Sequence, residues 1–265
     1  DMSFDEALEI TKIHSVAGTL GDCGIISERP FRSPHHTATT VSLCGGGNKG
    51  VRPGEISLAH GGVLFLDELP EYSRSTLESL RQPLEDGNIT VTRANGSVSY
   101  PANFMLCGSM NPCPCGNYGS AEKVCTCSPA QIAKYKAKLS GPLLDRIDIQ
   151  VQVDDVKYAD LTKNEENETS AQVRRRVNRT RAIQEQRFKN DGIRTNAEMG
   201  EKQLSKYCRL SSECEKVLSS AYDTLKLSPR ARSRIIKVAR TIADMEVYEE
   251  IQVKHILEAI SYRQG

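Results

Sequence analysis

The sequence contains no tryptophan, and aromatic residues make up only 5% of it. Stacking platforms of the kind that bind unpaired bases are therefore not indicated. Net charge is also nearly missing: 35 Lys and Arg stand against 34 Asp and Glu, leaving +1. This balance excludes a polybasic arm or an acidic tail as the main feature, but not a local basic patch. Long apolar runs are absent. None exceeds four residues, Val63–Leu66 being the clearest, so no helical membrane span is expected. No export-type stretch opens the sequence, and the nine cysteines are an odd number. A disulfide scaffold is not expected; free thiols or a metal site in a cytoplasmic protein are.

What remains is ordinary globular material. The 265 residues are 38% hydrophobic and 26% charged, enough for one large domain or two ordinary ones. Ser3 and Glu6 have capping-box spacing ahead of Ala7, Leu8 and Ile10, which predicts a first helix. Residues 18–54 are rich in Gly, Ser, Thr and Pro and read as loop with short strands. Val63–Leu66 is a continuous apolar run, as in a strand buried on both faces of a parallel sheet. A helix with Leu77, Leu80 and Leu84 on one face follows, stopped by Gly87. The alternation over 89–100, with Asn95-Gly96 between its halves, predicts a hairpin. Phe104–Gly108 and Ile147–Val153 are further strand candidates. The polar stretch 154–170 reads as a linker or long loop. Helices are expected at about 171–190, 200–208, 212–226, 229–246 and 252–262. Strands and helices first, helices only afterwards, predict an α/β core over 1–153 and a small helical domain over 154–265.

Two constellations carry chemistry. Asp67 and Glu68 follow the Val63–Leu66 strand directly, and open α/β sheets bind ligands beyond the carboxyl ends of their strands. Adjacent carboxylates there can divide two tasks, one holding Mg²⁺ and the other orienting a water for attack on a γ-phosphate. Two solvated acids at a strand end are the plainer reading. Cys113, Cys115, Cys125 and Cys127 form two C-x-C pairs nine residues apart. Four thiolates in so short a span suit tetrahedral Zn²⁺; a redox pair and unliganded thiols are the alternatives. Cys23, Cys44, Cys107, Cys208 and Cys214 are scattered and suggest no site.

Several segments resemble those of AAA+ ATPases. Gly62–Glu68 resembles a Walker B element, Ser109-Met-Asn111-Pro112 a sensor-1 segment, and Leu143-Leu-Asp-Arg146-Ile-Asp148 an arginine-finger segment. Ser228-Pro-Arg230 resembles sensor 2, and the 89–100 hairpin resembles a pre-sensor-1 insertion. Phe31-Arg-Ser-Pro-His35-His36-Thr, Pro53-Gly-Glu-Ile-Ser-Leu-Ala-His60, Asn111-Pro-Cys-Pro-Cys-Gly116 and Ser140-Gly-Pro-Leu-Leu-Asp-Arg-Ile-Asp148 are similar to the ComM (YifB) family of magnesium-chelatase-like proteins. That family is associated with DNA branch migration and natural transformation.

The resemblance implies an AAA+ P-loop-type core with β-hairpin insertions and a helical lid, with ATP and Mg²⁺ as cofactors. It also implies a homo-oligomeric ring, a hexamer, acting on DNA. Asp67 would hold the Mg²⁺ shell and Glu68 would polarise the lytic water. Asn111 would position that water, although Asn before Pro112 also suits a turn. Arg146 would be the finger that reaches a neighbour's ATP, the alternative being a local ion pair. Arg230 would meet the nucleotide. A cation in the first turn of a helix opposes its dipole, so a bound phosphate explains it better than helix stability does. Arg93 near the hairpin tip, and His35 and His36 with Arg32 nearby, would face DNA in a central pore; ordinary loop packing also accommodates the two histidines.

One part of the pattern is missing. No lysine precedes Ser or Thr, so there is no Gly-x-x-x-x-Gly-Lys-Ser/Thr loop to cradle phosphates. Gly45–Gly50 imitates it in the wrong place. The expectation is a piece cut after the P-loop that binds ATP weakly or not at all, taken from a protein that hydrolyses it. The rival functions are a magnesium-chelatase motor subunit and a nucleotide-free binding module.

Overall fold

The computed structural model describes residues 2–47, 50–93, 96–120, 122–153 and 168–263. The chain divides into two compact units, Asp1–Ile147 and Asp148–Gly265.

The first unit begins with α1 (Phe4–Ala17). Ser3 caps it with a full capping box, and Gly18 ends it in the left-handed conformation. Three strands make a parallel sheet in the order β1 (Phe31–Arg32), β4 (Val63–Leu66), β7 (Met105–Gly108). Phe31 pairs with Val63, Val63 with Met105 and Leu66 with Gly108. Between them lie α2 (Thr40–Cys44), the two-residue strands β2 (Gly45–Gly46) and β3 (Arg52–Pro53), and α3 (Glu55–Leu58). Gly62 is required by close approach: a Cβ there would lie 1.9 Å from the Pro30 carbonyl oxygen.

Three expectations are corrected. The central strand is not buried on both faces. Leu64 and Leu66 are fully buried among Leu43, Ile56, Leu77 and Leu80, while Val63 and Phe65 are half-buried and Phe31 and Met105 exposed. The single helix after Glu68 is two, α4 (Arg74–Ser79) and α5 (Arg81–Asp86). The cause is Pro83, which has no N–H and whose ring collides with the carbonyl four residues back. Gly87 does stop α5, at φ 65°.

The third correction concerns 147–153, which forms no strand among its described residues. The Gln150 N–H donates to the Tyr262 carbonyl (2.9 Å) instead of a strand partner, and Ile149, Val151 and Val153 are exposed. The hairpin is present as β5 (Asn88–Arg93) and β6 (Gly96–Pro101), with Arg93 opposite Gly96. Its base is anchored by buried Ile89, Val91 and Tyr100, the last donating its hydroxyl to Val51 O (2.6 Å). Asn95 and the Arg93 side chain lie outside the described residues, as does most of the 154–170 stretch. The unit closes with α6 (Pro129–Lys136) and α7 (Gly141–Leu144).

The second unit is helical: α8 (Ser170–Phe188), α9 (Glu201–Tyr207), α10 (Ser212–Leu225), α11 (Pro229–Met245) and α12 (Val253–Ser261). Thr169, Ser211 and Ser228 cap three of them. On α11, Ala231, Ile235 and Ile242 are buried, but Met245 is exposed where the helix ends. The core also holds charge. Arg187 donates to Asp244 (2.6 Å) and Asn196 (3.0 Å), while Arg240 donates to Asp244 (3.0 Å) and to the carbonyls of Tyr248 and Glu249. The Asp244 side chain has no exposed surface. No helix among the described residues is long and apolar enough to cross a membrane.

Candidate functional site

The three parallel strands end on one edge of the sheet, and polar residues converge there. Asp67 and Glu68 leave β4, Ser109 leaves β7, and His35 and His36 follow β1 by three and four residues. The Ser109 hydroxyl donates to the Asp67 carboxylate, and its carbonyl accepts from the Leu69 N–H (2.8 Å). The Glu68 N–H points at Asp67 Oδ1 (3.1 Å). Glu68 itself sits in the left-handed region at φ 51°, a conformation costing a non-glycine residue about 1–2 kcal/mol. Such strain tends to persist where the surroundings over-determine it.

The Glu68 carboxylate reaches His36, with Nδ1 3.2 Å from Oε2. His36 lies against His35 and edge-on to Tyr72. Tyr72 donates its hydroxyl to the Pro34 carbonyl (2.5 Å) and so pins the histidine loop beside the acids. Burial and the Asp67 charge push the Tyr72 hydroxyl above its usual range. Arg32, expected near the histidines in a pore, is instead committed to a two-point ion pair with Glu55 (2.6 and 2.9 Å).

Asn111 is exposed, two residues beyond Ser109 in the chain. Its backbone N–H faces the buried Tyr135 on α6, whose hydroxyl is raised by burial and by the charges of Glu71 and Glu68. Tyr72 and Tyr135 carry no signal in the sequence, and Ser109 enters there only as the first residue of the sensor-1-like segment. Ser109 alone had a usable signal there, as the first polar residue beyond a strand that pairs with β4.

Arg146 is turned inward. Its side chain is 9% exposed, pairs with Glu85 on α5 and donates to the Pro142 carbonyl (2.7 Å). Arg230 belongs to the second unit, exposed in the first turn of α11 where Ser228 accepts from the Ala231 N–H (3.2 Å). Arg232 and Arg234 on the same helix pair with Glu215 (3.0 Å) and Asp148 (2.5 Å).

The four loop cysteines meet. Cys113, Cys115, Cys125 and Cys127 place their sulfurs within 4.8 Å of one another, an arrangement that could hold a metal ion. Amides of Asn117 and Thr126 facing its sulfur hold the Cys115 thiol down at about 5, while desolvation and the neighbouring thiols push Cys127 up to about 12.

A parallel α/β sheet with an acid pair at the end of its central strand, followed by a helical unit, defines a fragment of the AAA+ type. Residues 1–161 match the family described as magnesium chelatase, subunit ChlI, and residues 167–263 match its C-terminal family. The chain is 42% identical over 264 residues to the competence protein ComM of Haemophilus influenzae, covering 99% of this chain and 50% of that protein. It is equally similar to the uncharacterized protein YifB of Escherichia coli, 42% over 264 residues, covering 99% and 51%. A chloroplastic magnesium-chelatase subunit, ChlI-1 of Arabidopsis thaliana, is 30% identical over 115 residues, 43% of this chain and 22% of that one. The chain belongs to the magnesium-chelatase-like family of ComM and YifB. It spans about half the length of the curated relatives it matches.

Proposed function

We propose that this chain carries the hydrolytic acids of a Mg²⁺-dependent ATPase that works as a ring motor on DNA inside the cell. The observation behind the proposal is the convergence of Asp67, Glu68, Ser109 and His36 at the carboxyl edge of the sheet. The donor set fits a hard cation: exposed carboxylate oxygens of Asp67 and Glu68 stand beside the Ser109 hydroxyl. Mg²⁺ would supply charge neutralisation across the phosphate oxygens.

The protein groups then divide the work. Asp67, oriented by Ser109, offers its outer oxygen towards the cation. Glu68 accepts a hydrogen bond from the attacking water and is held in place by His36. Asn111 offers an amide to the water or the γ-phosphate. Arg230 supplies a cation for the triphosphate. Arg146 serves a neighbouring copy's ATP in a hexameric ring once it exchanges Glu85 for phosphate. The contact of His36 with Glu68 favours a role at the acids over one in the pore, and leaves Arg93 and exposed His35 as the DNA-facing pair.

The magnesium-chelatase motor is the second reading, favoured by the family match over 1–161. A nucleotide-free module is the third. ATP hydrolysis by the whole protein, with and without branched DNA, separates them. Stimulation by DNA supports the motor, stimulation by chelatase partners alone supports the second reading, and no hydrolysis supports the third. Glu68→Gln in the whole protein is expected to lower turnover about 10²–10⁴-fold, the range for a positioned base. The 265-residue chain alone is expected to bind ATP weakly or not at all by calorimetry.

A further inference from the structure

The described residues of the 113–127 loop have no regular secondary structure to explain its shape, yet they bring four cysteines to one point. Cys113 Sγ lies 3.4 Å from Cys115 Sγ and 3.7 Å from Cys125 Sγ, and Cys115 lies 3.6 Å from Cys125. Four sulfurs each about 2.3 Å from a tetrahedral Zn²⁺ stand about 3.8 Å apart. A disulfide would bring one pair to about 2.05 Å, and all four cysteines are free. Thiols are weak donors and weak acceptors, so their mutual attraction is a poor reason for a polar loop to converge.

Backbone amides surround the sulfurs. Amides of Asn117 and Thr126 face the Cys115 sulfur, the Cys127 amide faces Cys125, and the Cys115 amide faces Cys127. The Gly116 N–H closes a turn onto the Cys113 carbonyl (3.0 Å), and Gly116 and Gly119 take φ values of 80° and 86° that the tight path needs. A set of four thiolates selects a soft or borderline cation over Mg²⁺. With four ligands present and no position open for water, the site is structural, not catalytic.

We propose that Cys113, Cys115, Cys125 and Cys127 bind a single Zn²⁺ that clips the 113–127 loop shut and fixes the segment carrying Asn111. The connection to Asn111 is short on both sides. Asn111 stands two residues before Cys113. Directly after Cys127, Ser128 caps α6 with Gln131 as its box partner. Tyr135, further along that helix, is faced by the Asn111 N–H. The clip therefore joins the two ends of an excursion that both lead back to Asn111, removing the freedom the open loop would have. The metal site stands without the hydrolysis reading; only the importance of holding Asn111 rests on it.

The test uses the 265-residue chain, purified under reducing conditions with zinc in the medium. Metal analysis should find one zinc per chain, released as a mercurial reagent titrates the loop thiols. Co²⁺ added to the metal-free chain should give the intense visible bands of tetrahedral thiolate coordination. Cys127→Ser should weaken zinc binding at least as much as loss of an outer-shell partner does, about 10–100-fold, while Cys23→Ser, at an exposed position outside the loop, should leave it unchanged. Amide exchange over 109–115 and 129–136 should quicken when zinc is removed. A folded, reduced chain with little zinc and no thiolate–cobalt bands would overturn the proposal. So would a disulfide among these cysteines in freshly lysed cells, which would mark the loop as a redox pair. Neither outcome bears on ATP hydrolysis, and a whole protein without ATPase activity would leave the metal result standing.

Discussion

The two units treat their charged residues in opposite ways. In the first, Asp67 and Glu68 are exposed at the end of a strand buried on one face, and their partners Ser109 and His36 come from the segments that follow other strands. In the second, Asp244 and Arg240 are buried and saturated by Arg187, Asn196 and two backbone carbonyls. Exposed carboxylates with polar neighbours on one side only retain capacity for a ligand. A buried carboxylate with both oxygens used has none, and its charge serves the fold. The same residue types thus mark a reactive edge in one unit and a structural pin in the other.

The comparison can be broken most directly in the second unit. Asp244→Ala leaves Arg240 and Arg187 without their shared counter-charge and should lower stability by about 3–5 kcal/mol in denaturant unfolding. A loss below about 1 kcal/mol would mean that the network is not a pin. In the first unit the opposite sign is expected. Glu68→Gly relieves a left-handed side chain and should raise stability by up to about 1 kcal/mol, an increment of the size that functional residues commonly forgo. Thermal unfolding of the two variants side by side tests whether the edge and the pin differ in kind.

A smaller effect concerns Glu6. Burial alone would raise its carboxyl, but the Ser3 backbone N–H and the Arg29 guanidinium (3.2 Å) outweigh burial and hold it at about 2. The folded value is below the ordinary one near 4.5. Its contribution is therefore complete above that ordinary value and lost as pH falls towards 2. The pair is partly exposed, so a few tenths of a kcal/mol are expected. Comparing acid unfolding of the wild type with Glu6→Gln measures it: the variant should lose less stability across that window.

Much of this organisation was legible in the sequence where a local rule decides. The helices of the second unit lie within about two residues of their expected ends because Thr169, Ser211 and Ser228 cap three of them and the apolar spacing is regular. The acid pair was legible because it follows an uninterrupted apolar run. The sequence concealed what depends on contacts between distant segments. β1 is two residues long and shows no periodicity, yet it aligns the histidine loop with β4. His36 meets Glu68 across 32 positions, and nothing in either neighbourhood announces it. The 147–153 stretch alternates like a strand, but alternation does not provide a partner. Pro83 did carry a readable signal, and the helix breaks before it for that reason.

Position 62 has a consequence out of proportion to its chemistry. With 1.9 Å between a would-be Cβ and the Pro30 oxygen, even alanine would wedge the first strand away from its neighbour. The wedge would act at the far end of the strands from the acids, yet it would tilt the lever that carries His36. An engineer wishing to disable this edge while leaving every polar group in place would begin with the residue that has no side chain at all.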